Sequence, residues 1–198
     1  MTENDESLMM AVRDGDVERL SELFDRYHRA LFDFFVRVTS NRTAAEDLVQ
    51  DVFFRMLKYR HTFRDDSRFR AWMFHIARNA RVDYYKKHQG EELLPEDGFD
   101  SLQSRSPFPG RELEQDQQNR LLECAMSKLS EEKREVLVLS RYQEMKYEQI
   151  AEILDCEVGA VKVRVYRALK DLREIFFKLS NEKMPCNVKK SVNNLRII

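Results

Sequence analysis

Apolar residues recur at three- and four-residue intervals in two stretches of the chain, about residues 7–90 and 113–180, and this spacing predicts amphipathic helices. Over residues 44–58 it turns Ala45, Leu48, Val52 and Met56 inward, yet Phe54 and Leu57 fall on the opposite side beside Asp47 and Gln50. Two readings follow: a helix buried on two sides of a small bundle, or a helix that offers a protein-binding surface. Residues 69–87 turn Phe69, Met73, Ile76 and Ala80 inward and leave Arg70, Phe74, Arg78, Arg81 and Tyr85 on an outer stripe. Trp72, His75, Asn79 and Lys86 gather along another edge.

In the second stretch, residues 146–154 and 158–172 both carry helical periodicity, and Asp155, Cys156 and Glu157 leave room between them only for a tight turn. Ile150 and Ile153 point inward with Ala151, whose small side chain lets a second helix cross closely. At about 100° per residue, Val158, Val161, Val165, Ala168, Leu172 and Ile175 share the inner face of that second helix. Its outer face carries Ala160, Lys162, Val163, Tyr166, Arg167, Lys170 and Arg173, with Arg164 on the shoulder. The spacing is that of a helix-turn-helix, and the face joins long cations for phosphates to small side chains that allow close groove approach. Ser130 stands where an N-cap would start the supporting helix through Val136, Leu137 and Leu139.

Composition changes this picture in one respect. Five glycines and four prolines in 198 residues suit long helices better than turn-rich sheet, so the expected fold class is all-α, in two small helical domains. Helix breakers cluster instead at Gly90, Pro95, Gly98, Pro107, Pro109 and Gly110, among Glu91, Glu92, Glu96, Asp97, Asp100 and Glu112. Residues 91–112 are therefore expected to be a flexible acidic linker between domains at residues 7–90 and 113–180, with residues 181–198 as a flexible tail.

The formal net charge of −1 argues against nucleic-acid binding only if the charge is evenly spread, and it is not. Between Arg55 and Lys87 ten cations face only Asp65, Asp66 and Asp83, and Lys162, Arg164, Arg167, Lys170 and Arg173 face only Asp171. Cations interleaved with aromatics, as on residues 69–87, suit single-stranded DNA, since they hold the backbone while rings stack on bases. An aromatic-rich bundle with a solvated basic side would show the same pattern. Cys124, Cys156 and Cys186 are odd in number and widely spaced, and His28, His61, His75 and His88 lack ligand partners at helical spacing. Neither a metal nor another cofactor is expected. The chain also lacks the common nucleotide and hydrolase signatures, and no apolar run approaches the roughly 18 residues of a membrane span. A non-enzymatic protein of the cytoplasm, without membrane insertion, is the expectation.

Four segments carry a specific resemblance, and one of them, RDGDVERLSELFDRYHRALFDFFVR, resembles the first helices of the second conserved region of sigma factors. Residues 128–174, KLSEEKREVLVLSRYQEMKYEQIAEILDCEVGAVKVRVYRALKDLRE, resemble the fourth conserved region of sigma factors. AEDLVQDVFFRMLK resembles the polymerase-clamp-binding helix of the second region, and FRDDSRFRAWMFHIARNARVDYYKK its −10 recognition and melting segment. The order, spacing and absence of another folded domain resemble the compact extracytoplasmic-function group of the sigma-70 family. Asp155, Ala160, Val163 and Leu169 depart from the Gly, Thr, Ser and Arg common in that family, which leaves the preferred −35 sequence open.

The resemblance implies a subunit that binds core RNA polymerase and directs promoter-specific initiation. Asp47, Gln50, Asp51, Phe54 and Leu57 would dock on the polymerase clamp helices, and the flap of core polymerase is the other expected contact. Phe63, Arg64, Ser67, Arg70, Trp72, Arg78 and Asn79 would engage the −10 region, and Lys162, Val163, Arg164, Tyr166 and Arg167 the −35 major groove. The acidic linker would act as a nucleic-acid mimic in the RNA path, and an anti-sigma factor is a candidate partner. Two rivals stand beside this reading: a stand-alone helix-turn-helix regulator, and a polymerase-binding protein that has lost promoter reading.

Overall fold

The computed structural model describes residues 3–88 and 112–183. Among them are eight α-helices and no strand: α1 (Asp5–Asp14), α2 (Leu20–Thr39), α3 (Arg42–Lys58), α4 (Phe69–Lys87), α5 (Glu112–Ser127), α6 (Glu131–Leu137), α7 (Tyr147–Leu154) and α8 (Val158–Lys183). The expected linker, except Glu112, and the tail beyond Lys183 lie outside the described residues. Glu112 opens α5, and α8 runs past residue 180, so both helices reach further than the sequence pattern suggested.

Local chemistry sets the helix ends in the first half. The Asn4 side chain accepts from the Ser7 N–H at 2.6 Å, and Gly15, at φ 118°, closes α1 in a conformation that a Cβ would strain. Ser40 takes the same left-handed role after α2 at φ 56°, and Asn41 caps α3 by accepting from Ala44 N–H at 2.8 Å. These two consecutive residues fold α2 and α3 into a tight antiparallel hairpin. Against it lie α1 and α4, which bury Leu8, Met9, Val12, Leu31, Phe34, Leu48, Val52, Met56, Phe69 and Met73.

In the second half α6 widens into a π-helical turn, Val138–Tyr142, before Glu144 reverses the chain at φ 50°. Asp155 follows α7 in the left-handed region at φ 48°, a position Asp tolerates, and its N–H reaches Ala151 O. Ile150, Ala151 and Ile153 of α7 and Val161, Val165, Ala168 and Leu172 of α8 are buried in the core of this half, where α8 packs on α7, α6 and α5. Ser130 does precede α6, but its hydroxyl makes no capping hydrogen bond.

The two halves are packed together, α4 against α7 and α2 against α6 and its π turn, so their apolar cores are continuous. This packing corrects the expected outer stripe of α4. Phe74 is fully buried with its ring edge on Phe34 at 5.2 Å, and Arg81 is 5% exposed. Helical period separates faces; it does not say that the face opposite one core meets water, and α4 packs on α3, sets Phe74 against Phe34 of α2 and turns Arg81 to Glu135 of the second half.

Candidate nucleic-acid interface

The outer face of α8 is open. Val161, Val165 and Ala168 anchor it, and Lys162, Val163, Arg164, Tyr166 and Arg167 stand together in solvent, Tyr166 at 71% exposure. None of the five side chains has a hydrogen bond or ion pair among the described residues, so the three cations are free to meet phosphates. Gly159, near the start of the helix, has nothing within 4 Å of where a Cβ would sit, so the backbone there can be approached closely.

The residues expected at a single strand are divided among three places. Arg64, Ser67 and Trp72 line a groove of about 430 Å³ with Asp66, Arg68 and His75, closed on the far side by Glu152 of α7. The Arg64 N–H donates to Ser67 Oγ at 3.2 Å, which holds the loop before α4, and Trp72 Nε1 donates to Thr62 Oγ1 at 3.3 Å. Phe63 is buried, 1% exposed, with its ring edge on Trp72 at 5.3 Å, so it supports this groove from beneath. Asn79 lies in a separate recess of about 380 Å³ with Arg55, Tyr59, Asp83 and Lys86.

Arg70 and Arg78 point instead into the contact between the halves. Arg70 donates to Gln143 O at 2.7 Å, and Arg78 lies 3.4 Å from one carboxylate oxygen of Glu135. The other oxygen accepts from Arg81 at 3.1 Å, and the Arg81 and Glu135 side chains are only 6% and 5% exposed. Around them Gln143 Nε2 donates to Ala30 O at 3.2 Å, Arg134 Nη1 to Val38 O at 3.3 Å, and Arg37 stacks over the Tyr142 ring at 3.9 Å. Burial pushes the Arg134 guanidinium below its ordinary pKa and the Tyr142 phenol above its own, Arg37 opposing the latter. Sequence reasoning missed Glu135 and Gln143. The signal available was a carboxylate set against the apolar run Val136–Leu137–Val138–Leu139.

On α3, Ala45, Leu48, Val52 and Met56 are buried while Phe54 is 65% exposed, flanked by exposed Asp47 and Gln50 and half-buried Asp51 and Leu57. Nothing among the described residues covers Phe54, which favours the binding-surface reading of this helix over burial on two sides. Asp51 holds Arg55 at 2.8 Å, and Arg55 reaches Asp83 of α4 at 2.7 Å, tying α3 to α4 behind the patch. No group of acidic, histidine and cysteine side chains among the described residues could hold a metal, and no described helix is long and apolar enough to cross a membrane.

Comparison with known proteins gives two family matches, "Sigma-70 region 2" over residues 23–91 and "Sigma-70, region 4" over residues 119–172. The chain is 29% identical over 158 residues to the ECF RNA polymerase sigma factor SigM of Bacillus subtilis, covering 79% of this chain and 94% of that one. It is 32% identical over 144 residues to the ECF sigma factor EcfG of Rhodopseudomonas palustris, covering 73% of this chain and 77% of the relative. Among solved structures it resembles the sigma factor RpoE of Bartonella quintana, crystallised with the anti-sigma factor NepR. The TM-score is 0.60 at 28% identity, over 79% of this chain and 96% of that one.

Proposed function

Because the chain belongs to the extracytoplasmic-function sigma factors of the sigma-70 family, we propose that it binds core RNA polymerase and directs initiation at promoters with −35 and −10 elements. The observation that carries this reading is the pairing, in one chain, of an uncommitted basic helix-turn-helix face with an exposed phenylalanine patch on a separate helix. Residues 7–90 form the polymerase-binding and −10 half, 91–112 the linker that mimics nucleic acid in the RNA path, 113–180 the −35 half and 181–198 a tail. Phe54 and Leu57, with Asp47, Gln50 and Asp51 around them, dock on the clamp helices, and the −35 half meets the flap.

Lys162 and Arg164 hold phosphates while Val163, Tyr166 and Arg167 approach base edges in the −35 major groove. At the −10 element unstacking a base costs a few kcal/mol, which its capture has to offset. The groove of Arg64, Ser67 and Trp72 offers an indole for stacking and a cation for the backbone, with Phe63 as its support. Asn79 supplies amide hydrogen bonds from the neighbouring recess, and Arg70 and Arg78 add backbone contacts once they are free of the other half. The protein works in the cytoplasm without catalysis of its own. An anti-sigma factor, the kind of partner crystallised with the Bartonella relative, is its natural regulator.

Gel filtration with bacterial core polymerase tests the reading. The wild-type chain should co-elute with core and Phe54→Asp, a change at an exposed site, should not. A wild-type chain that binds promoter DNA tightly but never co-elutes would instead be a stand-alone regulator.

A further inference from the structure

The loop before α4, which carries Arg64 and Ser67, is fastened at three points to α1, a helix with none of the residues expected at DNA or polymerase. Arg13, in the last turn of α1, donates to Phe63 O at 3.4 Å and pairs with the Asp65 carboxylate. Asp14 holds the same guanidinium from its other edge at 2.8 Å. Seven residues earlier, about 10 Å along the helix, Glu6 accepts from the Phe69 N–H at 3.1 Å. That N–H is the first of α4, and Arg68 at the N-cap position makes no side-chain capping bond, so the cap is supplied by α1. The brace is itself fixed: Leu8, Met9 and Val12 are fully buried, and Asp5 takes Arg26 at 2.7 Å and the Tyr27 hydroxyl.

Apolar packing holds the loop only at its ends. Phe63 and Phe69 are buried, whereas Arg64, Asp65, Asp66 and Arg68 between them are exposed. The Arg64 and Ser67 bonds close a turn within the loop, but its course over the groove rests on the polar ties to α1. We propose that Glu6 and Arg13 are positioning residues for −10 selectivity, fixing the course of residues 64–68 and so the shape of the groove that Arg64, Ser67 and Trp72 offer to a single strand. The proposal rests on the strand-capture role given to that groove above, and neither residue has to touch DNA. A loop held in its binding shape loses little freedom when the matched base enters, and it refuses to re-form around a wrong one. Cutting the ties therefore lowers use of the matched element and narrows its lead over mismatched ones.

The test reconstitutes holoenzyme from core polymerase and the full-length chain, and reads start-site yields from promoter libraries randomised at −10 or at −35. Arg13→Ala and Glu6→Ala should lower the yield ratio of the best −10 element to its single-base variants severalfold, at unchanged −35 ratios and unchanged co-elution with core. Arg13→Lys, whose ammonium still reaches Asp65, and Glu6→Gln, whose amide oxygen still accepts from the Phe69 N–H, should recover most of the loss. Asp65→Ala cuts one tie from the exposed side of the loop, so it carries the same expectation if either alanine variant of α1 fails to fold. An unchanged −10 ratio in the folded variants would overturn the brace, as would an equal fall in the −10 and −35 ratios. A wild-type chain that reads −35 but shows no −10 preference would overturn the strand-capture role itself, and the brace with it.

Discussion

Two basic helix faces in this chain look alike in sequence and differ in what their cations do. On α8, Lys162, Arg164 and Arg167 have no protein partner among the described residues, and their helix is held from behind by Val161, Val165 and Ala168. On α4, Arg70, Arg78 and Arg81 are engaged by Gln143 and Glu135 of the other half. The first face is open to a ligand as it stands. The second is already engaged by protein. Charge counted along the sequence gives the location of a nucleic-acid face; its readiness depends on what the fold has already paired with it.

Substitution should separate the two faces by the property that fails. The largest effect is expected at Arg81→Ala, which leaves Glu135 buried with one cation fewer and should cost about 3 kcal/mol of stability, read by urea unfolding. Unchanged stability would mean that the contact between the halves contributes nothing to the folded state. Phe63→Ala should have a comparable cost, about 3 kcal/mol, with a changed Trp72 emission as its neighbouring ring is lost.

On α8 the signs are reversed. Arg167→Ala should leave stability within about 0.5 kcal/mol of wild type, because the side chain touches no partner, yet weaken −35 duplex binding by about 1–3 kcal/mol. Equal promoter use with and without a −35 element, in wild type and variant alike, would refute that assignment. Asn79→Ala should fold and bind core normally but reduce promoter opening, as read by permanganate reactivity at the −10 element. The smallest change is expected from Asp155→Gly: relief of the left-handed backbone at φ 48° should stabilise the chain by no more than about 1 kcal/mol and leave DNA binding unaltered.

The α8 face was legible in the sequence because its helix is buried on one side only, where apolar period and charge agree. Val161, Val165, Ala168 and Leu172 are buried as the period required, and Asp155 takes the turn conformation that its side chain permits. On α3 the period gave the inward set correctly but left two readings of Phe54, and its exposure excludes only its burial among the described residues. On α4 the pattern misled for Phe74 and Arg81. A helix packed from two sides has no single polar face, and an arginine buried against a glutamate from a distant segment looks in sequence like any solvated cation. Glu135 and Gln143 were missed for the same reason, since their roles depend on pairing across the halves. The grouping of the residues expected at a single strand into a groove, a recess and an interface likewise depends on tertiary packing, which period alone does not carry.

The most direct test of the central claim is to mix the purified chain with core RNA polymerase and genomic DNA fragments and sequence the 5′ ends of transcripts that appear only in its presence. Shared upstream motifs at both −35 and −10 positions, with the −35 motif alone weakened by Arg167→Ala, is the predicted result. An active polymerase that yields no new start sites in the presence of the chain would contradict it.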